Sequence, residues 1–128
     1  MGFLLDTHTL LWFLSGNNSI SKKAKHIILD RKNKCYVSIA SLWEIAIKIK
    51  LDKLSIDTRF KELSDLLHQN DIEILPITFE HICNLLDLEE AHRDPFDRII
   101  ISTAKTENIS VITKDGNFKG YKNLEILW

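Results

Sequence analysis

The chain has 128 residues, of which 45% are hydrophobic and 27% charged, and its formal net charge is −1 at pH 7. This length and composition suit one globular domain over residues 1–128 and exclude a disordered or fibrous chain. No apolar run reaches the roughly 20 residues of a membrane span, and the apolar N-terminus lacks the basic segment of a signal peptide. Because Cys35 and Cys83 stand alone in the sequence, we expect reduced thiols in a cytoplasmic protein without membrane contact.

The first predicted element is a strand at residues 3–5, whose unbroken apolar run favours burial on both faces of a parallel sheet. It ends at Asp6, and the apolar pattern of Thr9–Leu14 predicts a helix directly after it. A carboxylate at this junction lies at the carboxyl edge of the sheet, where open α/β proteins bind their ligands.

The following elements alternate between helix and strand. They are a helix capped by Ser19 or Ser21, a strand at Cys35–Ile39, a helix at Ala40–Ile49, a helix capped by Asp57 or Thr58, a strand at Asp71–Leu75, a helix from Thr78, a helix from Asp94-Pro95 to about Glu107, a strand at Ile109–Thr113 and a short closing strand at Leu124–Leu127. Three of the helices have predicted apolar residues at helical spacing: Ala24, Ile27 and Ile28; Phe60, Leu63, Leu66 and Leu67; and Phe79, Ile82, Leu85 and Leu86. The alternation predicts an α/β protein, a three-layer α/β/α sandwich around a mostly parallel sheet of four or five strands.

Four acidic side chains are predicted to approach one edge of this sheet. Asp6 and Asp115 follow predicted strands, whereas Glu44 and Asp97 lie in early turns of predicted helices. Carboxylates that come close together repel one another, and a divalent cation relieves that repulsion. Oxygen ligands without clustered His or Cys favour Mg²⁺, with Mn²⁺ as the alternative.

Each acid also has an ordinary structural explanation. The explanations are a helix cap at Asp6, an i,i+4 ion pair of Glu44 with Lys48, a helix start at Asp94-Pro95 with Asp97 facing the positive helix end, and an Asp-Gly turn at Asp115. We interpret His8 and His92 as ordinary polar or packing residues, and Trp12 and Trp43 as core residues. The sequence contains no P-loop, GxGxxG, GxSxG or HExxH pattern.

Four segments, in this order, resemble the PIN-domain family over essentially the whole chain, in particular the VapC-type toxins of prokaryotic type II toxin–antitoxin pairs. The segments are Leu4-Leu5-Asp6-Thr7-His8, Ser41-Leu42-Trp43-Glu44-Ile45, His92-Arg93-Asp94-Pro95-Phe96-Asp97-Arg98, and Thr113-Lys114-Asp115 with Phe118 after it. The resemblance implies a PIN-like nuclease domain over residues 1–128.

The resemblance further implies a Mg²⁺-dependent endoribonuclease whose catalytic and metal-binding residues are Asp6, Glu44, Asp97 and Asp115. Asp94 is the other candidate in its motif, and we prefer Asp97 because it directly precedes the helical segment 98–104. The implied partners are an RNA substrate, a second copy of the chain in a homodimer, and a small antitoxin protein whose peptide blocks the site.

Basic side chains are needed to hold an RNA backbone. The candidates are Arg98 and the densest basic run, at residues 22–34. A solvated helix face explains that run equally well.

Two other functions fit parts of the sequence. An aspartyl-nucleophile phosphatase would use Asp6, but such enzymes carry a second Asp two residues on, where this chain has His8. A non-catalytic binding module would use the acids only as helix caps and would bind no Mg²⁺ or Mn²⁺ at millimolar metal.

Overall fold

Five strands form one parallel sheet in the computed structural model, which describes residues 1–128. The strands are β1 Gly2–Leu5, β2 Lys34–Ser38, β3 Ile72–Leu75, β4 Ser110–Ile112 and β5 Ile126–Leu127. Their order across the sheet is β3-β2-β1-β4-β5, and every neighbouring pair is parallel. The predicted fold class and the five-stranded form of the sheet are therefore confirmed.

Six helices connect the strands. They are α1 Thr7–Ser15, α2 Lys22–Leu29, α3 Ile39–Lys50, α4 Leu63–Gln69, α5 Phe79–Leu85 and α6 Pro95–Glu107, with short 3-10 segments at Phe60–Glu62 and Gly116–Gly120. None of them combines the length and the apolar character that crossing a membrane requires.

Strand β1 separates two apolar clusters. Phe3 and Leu5 pack with residues of α1, α2, α3 and α4 on one face of the sheet, whereas Leu4 packs with residues of α6 on the other. All three side chains are buried, so successive residues of the strand face opposite helical layers. This is why the strand is apolar without alternation.

The strand order places β1 and β4 side by side in the middle of the sheet. Leu5 is paired with Ile112, so Asp6 and Thr113 leave the sheet next to each other. From β1 the chain proceeds outward through β2 and β3, and it then returns through α5 and α6 to the other side of β1. In parallel sheets such a reversal opens a crevice at the carboxyl ends of the two central strands.

The start of α4 differs from the prediction. Neither Asp57 nor Thr58 caps it, because the helical turn begins later, at Phe60, and Arg59 in the cap position makes no side-chain cap hydrogen bond. A capping side chain has to come directly before the first helical residue to reach the free N–H groups. Phe60 is also exposed rather than part of the buried face.

The predicted apolar face of α5 is only partly a core face: Leu85 packs against the apolar cluster of α6, but the other three residues do not. Phe79, Ile82 and Leu86 are 80%, 50% and 88% exposed. The helix instead packs on α6 through His81, whose ring nitrogen lies 2.8 Å from Glu107 Oε2 and whose carbonyl accepts a 2.7 Å hydrogen bond from Ser102. A polar residue is buried here because its hydrogen bonds are satisfied.

Two leucine truncations test this assignment of burial. Leu67→Ala removes a side chain that is 0% exposed and is expected to lower the free energy of unfolding by about 2–5 kcal/mol, through lost transfer energy and the cavity left behind. Leu86→Ala, the matched control, is expected to change it by less than about 0.5 kcal/mol. Urea unfolding measures both, and an equal loss at Leu86 would show that its face is covered in solution.

Candidate active site

The Asp6 carboxylate is buried and held on both oxygens. Oδ1 accepts a 2.9 Å hydrogen bond from the Thr9 N–H, so Asp6 caps α1. Oδ2 accepts a 2.6 Å hydrogen bond from the Thr113 hydroxyl, which itself accepts from the Asp115 N–H at 3.0 Å. Asp6 is therefore a helix cap, as the sequence allowed. Thr113 also connects Asp6 to the segment after β4 by hydrogen bonds.

Glu44 is likewise buried with both oxygens engaged. The Thr7 hydroxyl donates to Oε1 at 2.7 Å, and Lys48 Nζ lies 3.0 Å from Oε2. The i,i+4 ion pair considered from the sequence is thus present. Because Thr7 is the residue after Asp6, the first turn of α1 brings the two carboxylates to the same edge of the sheet.

Two acids act as caps of the segments that follow them. Asp94 Oδ1 accepts hydrogen bonds from the N–H groups of Phe96 at 2.9 Å and Asp97 at 3.1 Å. Asp115 Oδ1 accepts from the Asn117 N–H at 2.9 Å and caps the 3-10 segment after β4. Asp94 therefore has the structural role that the sequence predicts for it.

Asp97 is the acid whose electrostatics are most perturbed. Its pKa is raised to about 7, first by burial and then by the negative charges of Asp94, Glu44, Asp115 and Asp6. None of the hydrogen bonds in the structure ends on its carboxylate, and the nearest basic nitrogen is His92 Nε2, 3.5 Å from Oδ2. The other three predicted site acids therefore all lie within electrostatic reach of Asp97.

A cleft of about 380 Å³ opens at this edge, lined by Asp6, His8, Trp12, Lys114 and Asp115. In the arrangement described, no three His, Cys, Asp or Glu side chains are close enough to form a ready-made metal site. The chemistry of the donors nevertheless fits a hard cation, because they are carboxylate oxygens and one of them carries uncompensated charge.

The PIN domain family profile matches residues 3–124 of the sequence. The chain belongs to the PIN domain family. This confirms the family that the sequence motifs predict, and the match covers both the Asp6 and the Asp115 ends of the site.

Solved structures share the fold of this PIN domain. VapBC2 from Rickettsia felis, solved with a DNA fragment from their promoter, is 18% identical with a TM-score of 0.74, covering 99% of this chain and 98% of that chain. DNA-bound VapBC from Salmonella typhimurium is 16% identical with a TM-score of 0.72, covering 99% and 97%. VapBC-5 from Mycobacterium tuberculosis is 23% identical with a TM-score of 0.61, covering 98% and 97%. A comparison with curated protein sequences gives no match.

Two threonines of this PIN domain hold site acids, and reasoning from the sequence gave them no role. Thr113 donates to Asp6, and Thr7 donates to Glu44. Both threonines are buried polar residues beside an acid at a strand-to-helix junction. A threonine near an acid at the end of a predicted buried strand is the sequence feature that could have identified this role, because a buried hydroxyl requires a hydrogen-bond partner.

Arg98 is not available to hold RNA, contrary to the prediction. Its side chain is only 14% exposed, and the two hydrogens of Nη1 are shared among the carbonyl oxygens of Glu89 at 2.8 Å and His92 at 3.2 Å and the Tyr121 hydroxyl at 3.2 Å. A guanidinium satisfies several carbonyls at once because its donors form a rigid fork. Arg98 therefore fixes the loop before α6.

The basic run at residues 22–34 does not form one patch beside the acids. Lys34 begins β2 and pairs with Gly2, which places it and the preceding Arg31 at the amino edge, away from the acids. Lys22 and Lys25 instead line a cavity together with Trp12, which also lines the acidic cleft.

The interpretation of Trp12 and Trp43 as core residues is wrong. Trp43 is 61% exposed, with its ring edge against Phe96 at 5.3 Å between centroids. Trp12 is partly exposed at the wall of the acidic cleft and is supported on its edge by Trp128 at 5.8 Å. Both rings are amphipathic and tolerate partial exposure.

Proposed function

We propose that this PIN domain is a divalent-metal-dependent endoribonuclease and the toxin of a type II toxin–antitoxin pair. Asp6, Glu44, Asp97 and Asp115 are its catalytic and metal-binding residues in this proposal. The observation that carries it is the raised pKa of Asp97, which reflects burial and the charge of three further site acids around a carboxylate without a donor. A bound cation is the simplest way to relieve that cost.

The four acids would have different roles in binding Mg²⁺ or Mn²⁺. Asp6 is oriented by Thr9 and Thr113, and no hydrogen bond ends on the Asp97 carboxylate, so these two carboxylates would be the principal ligands. Glu44 and Asp115 would complete the site directly or through water. The cation, when bound, supplies the positive charge that activates water and neutralises phosphoryl oxygens.

The cleft also offers contacts for a single-stranded RNA chain. Lys114 Nζ lies 5.9 Å from the centre of the Trp12 ring. If Lys114 moves to pair with a backbone phosphate, the face of the Trp12 ring becomes free for a nucleobase to stack on. Lys22 and Lys25 continue the basic surface on the far side of Trp12. Stacking on an aromatic ring accepts every base, so it supports binding without fixing the sequence.

Trp12→Leu tests this contact, because it keeps apolar bulk at the position and removes the aromatic face. We expect KM for single-stranded RNA to rise about 5- to 100-fold with kcat little changed, the loss of roughly 1–3 kcal/mol that one stacked base contributes. Trp43→Leu is the matched control and should leave KM within about twofold. Equal effects of the two changes would remove Trp12 from the RNA path.

Cleavage of a mixed RNA pool, with and without EDTA, tests the proposed activity. We expect fragments with Mg²⁺ or Mn²⁺ and none in EDTA, and no cleavage of a matched DNA pool. A phosphoaspartate trapped at Asp6 would instead favour the phosphatase. Absence of Mg²⁺ and Mn²⁺ binding at millimolar metal would favour the non-catalytic module.

The partner proposals have separate tests. VapBC complexes are among the solved structures with this fold, and VapBC-5 is described as a member of a toxin–antitoxin family, which supports an antitoxin partner. A short reading frame beside the gene, encoding a DNA-binding fold with a disordered tail, is expected on this proposal. Light scattering of the purified chain measures whether it forms the proposed homodimer.

A further inference from the structure

One buried nitrogen beside the candidate site has no hydrogen-bond partner. It is Nε2 of His92, whose side chain is only 11% exposed. This nitrogen lies 3.5 Å from Oδ2 of Asp97, the acid on which no hydrogen bond ends. Unpaired buried polar atoms are uncommon in folded proteins, and each requires an explanation.

The other ring nitrogen of His92 is firmly held. Nδ1 lies 2.7 Å from the Tyr121 hydroxyl, and Arg98 Nη1 donates to that same hydroxyl at 3.2 Å. Arg98 can only donate, and the arrangement in which the hydroxyl accepts from Arg98 and donates its own proton to His92 Nδ1 uses both hydrogen-bonding functions of that hydroxyl. A neutral imidazole that accepts at Nδ1 carries its proton on Nε2, which is the nitrogen that faces Asp97.

The ring has little freedom to turn away from this arrangement. It lies against Tyr121 with ring centres 5.5 Å apart and against the buried Phe118 at 6.0 Å. Arg98 also donates to the backbone carbonyl of His92 itself, so backbone and ring are fixed by the same guanidinium. In that tautomer Nε2 carries the proton, and the fixed ring holds this nitrogen 3.5 Å from Asp97 Oδ2.

We propose that His92 is a positioning residue, which donates from Nε2 to Asp97 Oδ2 and leaves Oδ1 directed to the cation site. The inference rests on the proposed function in taking Asp97 as a metal ligand. Ligating carboxylates are commonly oriented by such outer hydrogen bonds, and contacts that are long in an empty site shorten when the site is filled. Tyr121 and Arg98 favour the tautomer with the proton on Nε2, and His92 donates that proton in a hydrogen bond to Asp97.

The tautomer itself gives a test that needs neither metal nor RNA. Nitrogen-15 NMR of the His92 ring at pH 8 should show a protonated Nε2 and an unprotonated Nδ1. Tyr121→Phe removes only the hydroxyl and should lose this preference or mix the two forms. A proton on Nδ1 in the unaltered chain would overturn the inference.

Three substitutions at one position provide the second test. Gln places an amide donor near the position of Nε2, Asn places one near Nδ1, and Ala has no donor. We expect His92→Ala and His92→Asn to weaken Mn²⁺ binding about 10- to 100-fold, and His92→Gln to recover at least half of that loss on a logarithmic scale. Titration calorimetry measures the affinities, and melting in EDTA verifies that each variant folds.

The outcomes separate this inference from the proposed function. If His92→Gln binds Mn²⁺ no better than His92→Asn, or if His92→Ala binds it as well as the unaltered chain, the positioning role is wrong. If the metal and NMR results hold but the chain cleaves no RNA, the proposed activity is wrong and the hydrogen bond to Asp97 stands.

Discussion

Asp97→Asn is expected to reduce metal-dependent RNA cleavage by roughly 10³-fold, or about 4 kcal/mol of transition-state stabilisation. The change preserves the shape of the side chain and removes the charge that the cation site needs. It also removes the repulsion from four neighbouring acids, which acts on a carboxylate already disfavoured by burial. The metal-free variant should therefore melt about 3–5 °C higher at pH 8, the shift that roughly 1 kcal/mol produces in a domain of this size.

Asp94→Asn is the matched control, one helical turn away in the same motif. Asn caps helices about as well as Asp, so the hydrogen bonds to the first turn of α6 should survive. We expect cleavage within about tenfold of the unaltered chain. Full activity in Asp97→Asn, or an equal loss in Asp94→Asn, would remove Asp97 from its assigned role.

The second large effect is a fall in the stability of the metal-free chain as the pH rises. The pKa of Asp97 is raised from 3.8 to about 7 in the folded state, so between these values the folded chain binds more protons than the unfolded chain. By linkage, the contribution of this group to stability is complete below about pH 4 and is lost as the pH passes through 7. Allowing for solvent screening, we expect a loss of about 1–2 kcal/mol between pH 5 and 8.

Urea unfolding in EDTA across this range measures the effect, with Asp97→Asn as the reference that lacks the titrating group. The difference between the two chains isolates Asp97 from the other carboxylates. Saturating Mg²⁺ at pH 8 should restore the lost stability, because a ligand that binds only the folded state adds RT ln(1 + [Mg²⁺]/Kd). Parallel pH profiles of the two chains would show that the Asp97 pKa is ordinary.

The order of helices and strands follows from local patterns of the sequence. The unbroken apolar run of β1 indicated a strand buried on both faces, and the Asp94-Pro95 start of α6 was placed correctly from helix-end preferences. These features depend on neighbouring residues, whose spacing is visible along the chain. For the same reason the sequence alone predicts that Asp6 can cap α1, which it does.

Other features depended on which surface each element meets. Helix α5 has an apolar stripe, yet its buried side is the one carrying His81, because Ser102 and Glu107 of α6 provide its partners. Arg98 looked free to bind phosphate and is instead enclosed by carbonyl oxygens and Tyr121. The spacing of apolar residues along a helix does not reveal which polar groups of neighbouring elements will pack against that helix.

Residue type and spacing along the chain were enough to predict an α/β sandwich, its carboxyl edge and the acids near that edge. Only the tertiary structure decided that β4 lies beside β1, so that Thr113 reaches Asp6 and Asp115 joins the same cleft. It also decided that Tyr121 and His92 lie behind Asp97. The physical reason is that hydrogen-bonding and apolar periodicities act over a few residues, whereas strand order and buried polar contacts are settled by packing across the whole domain.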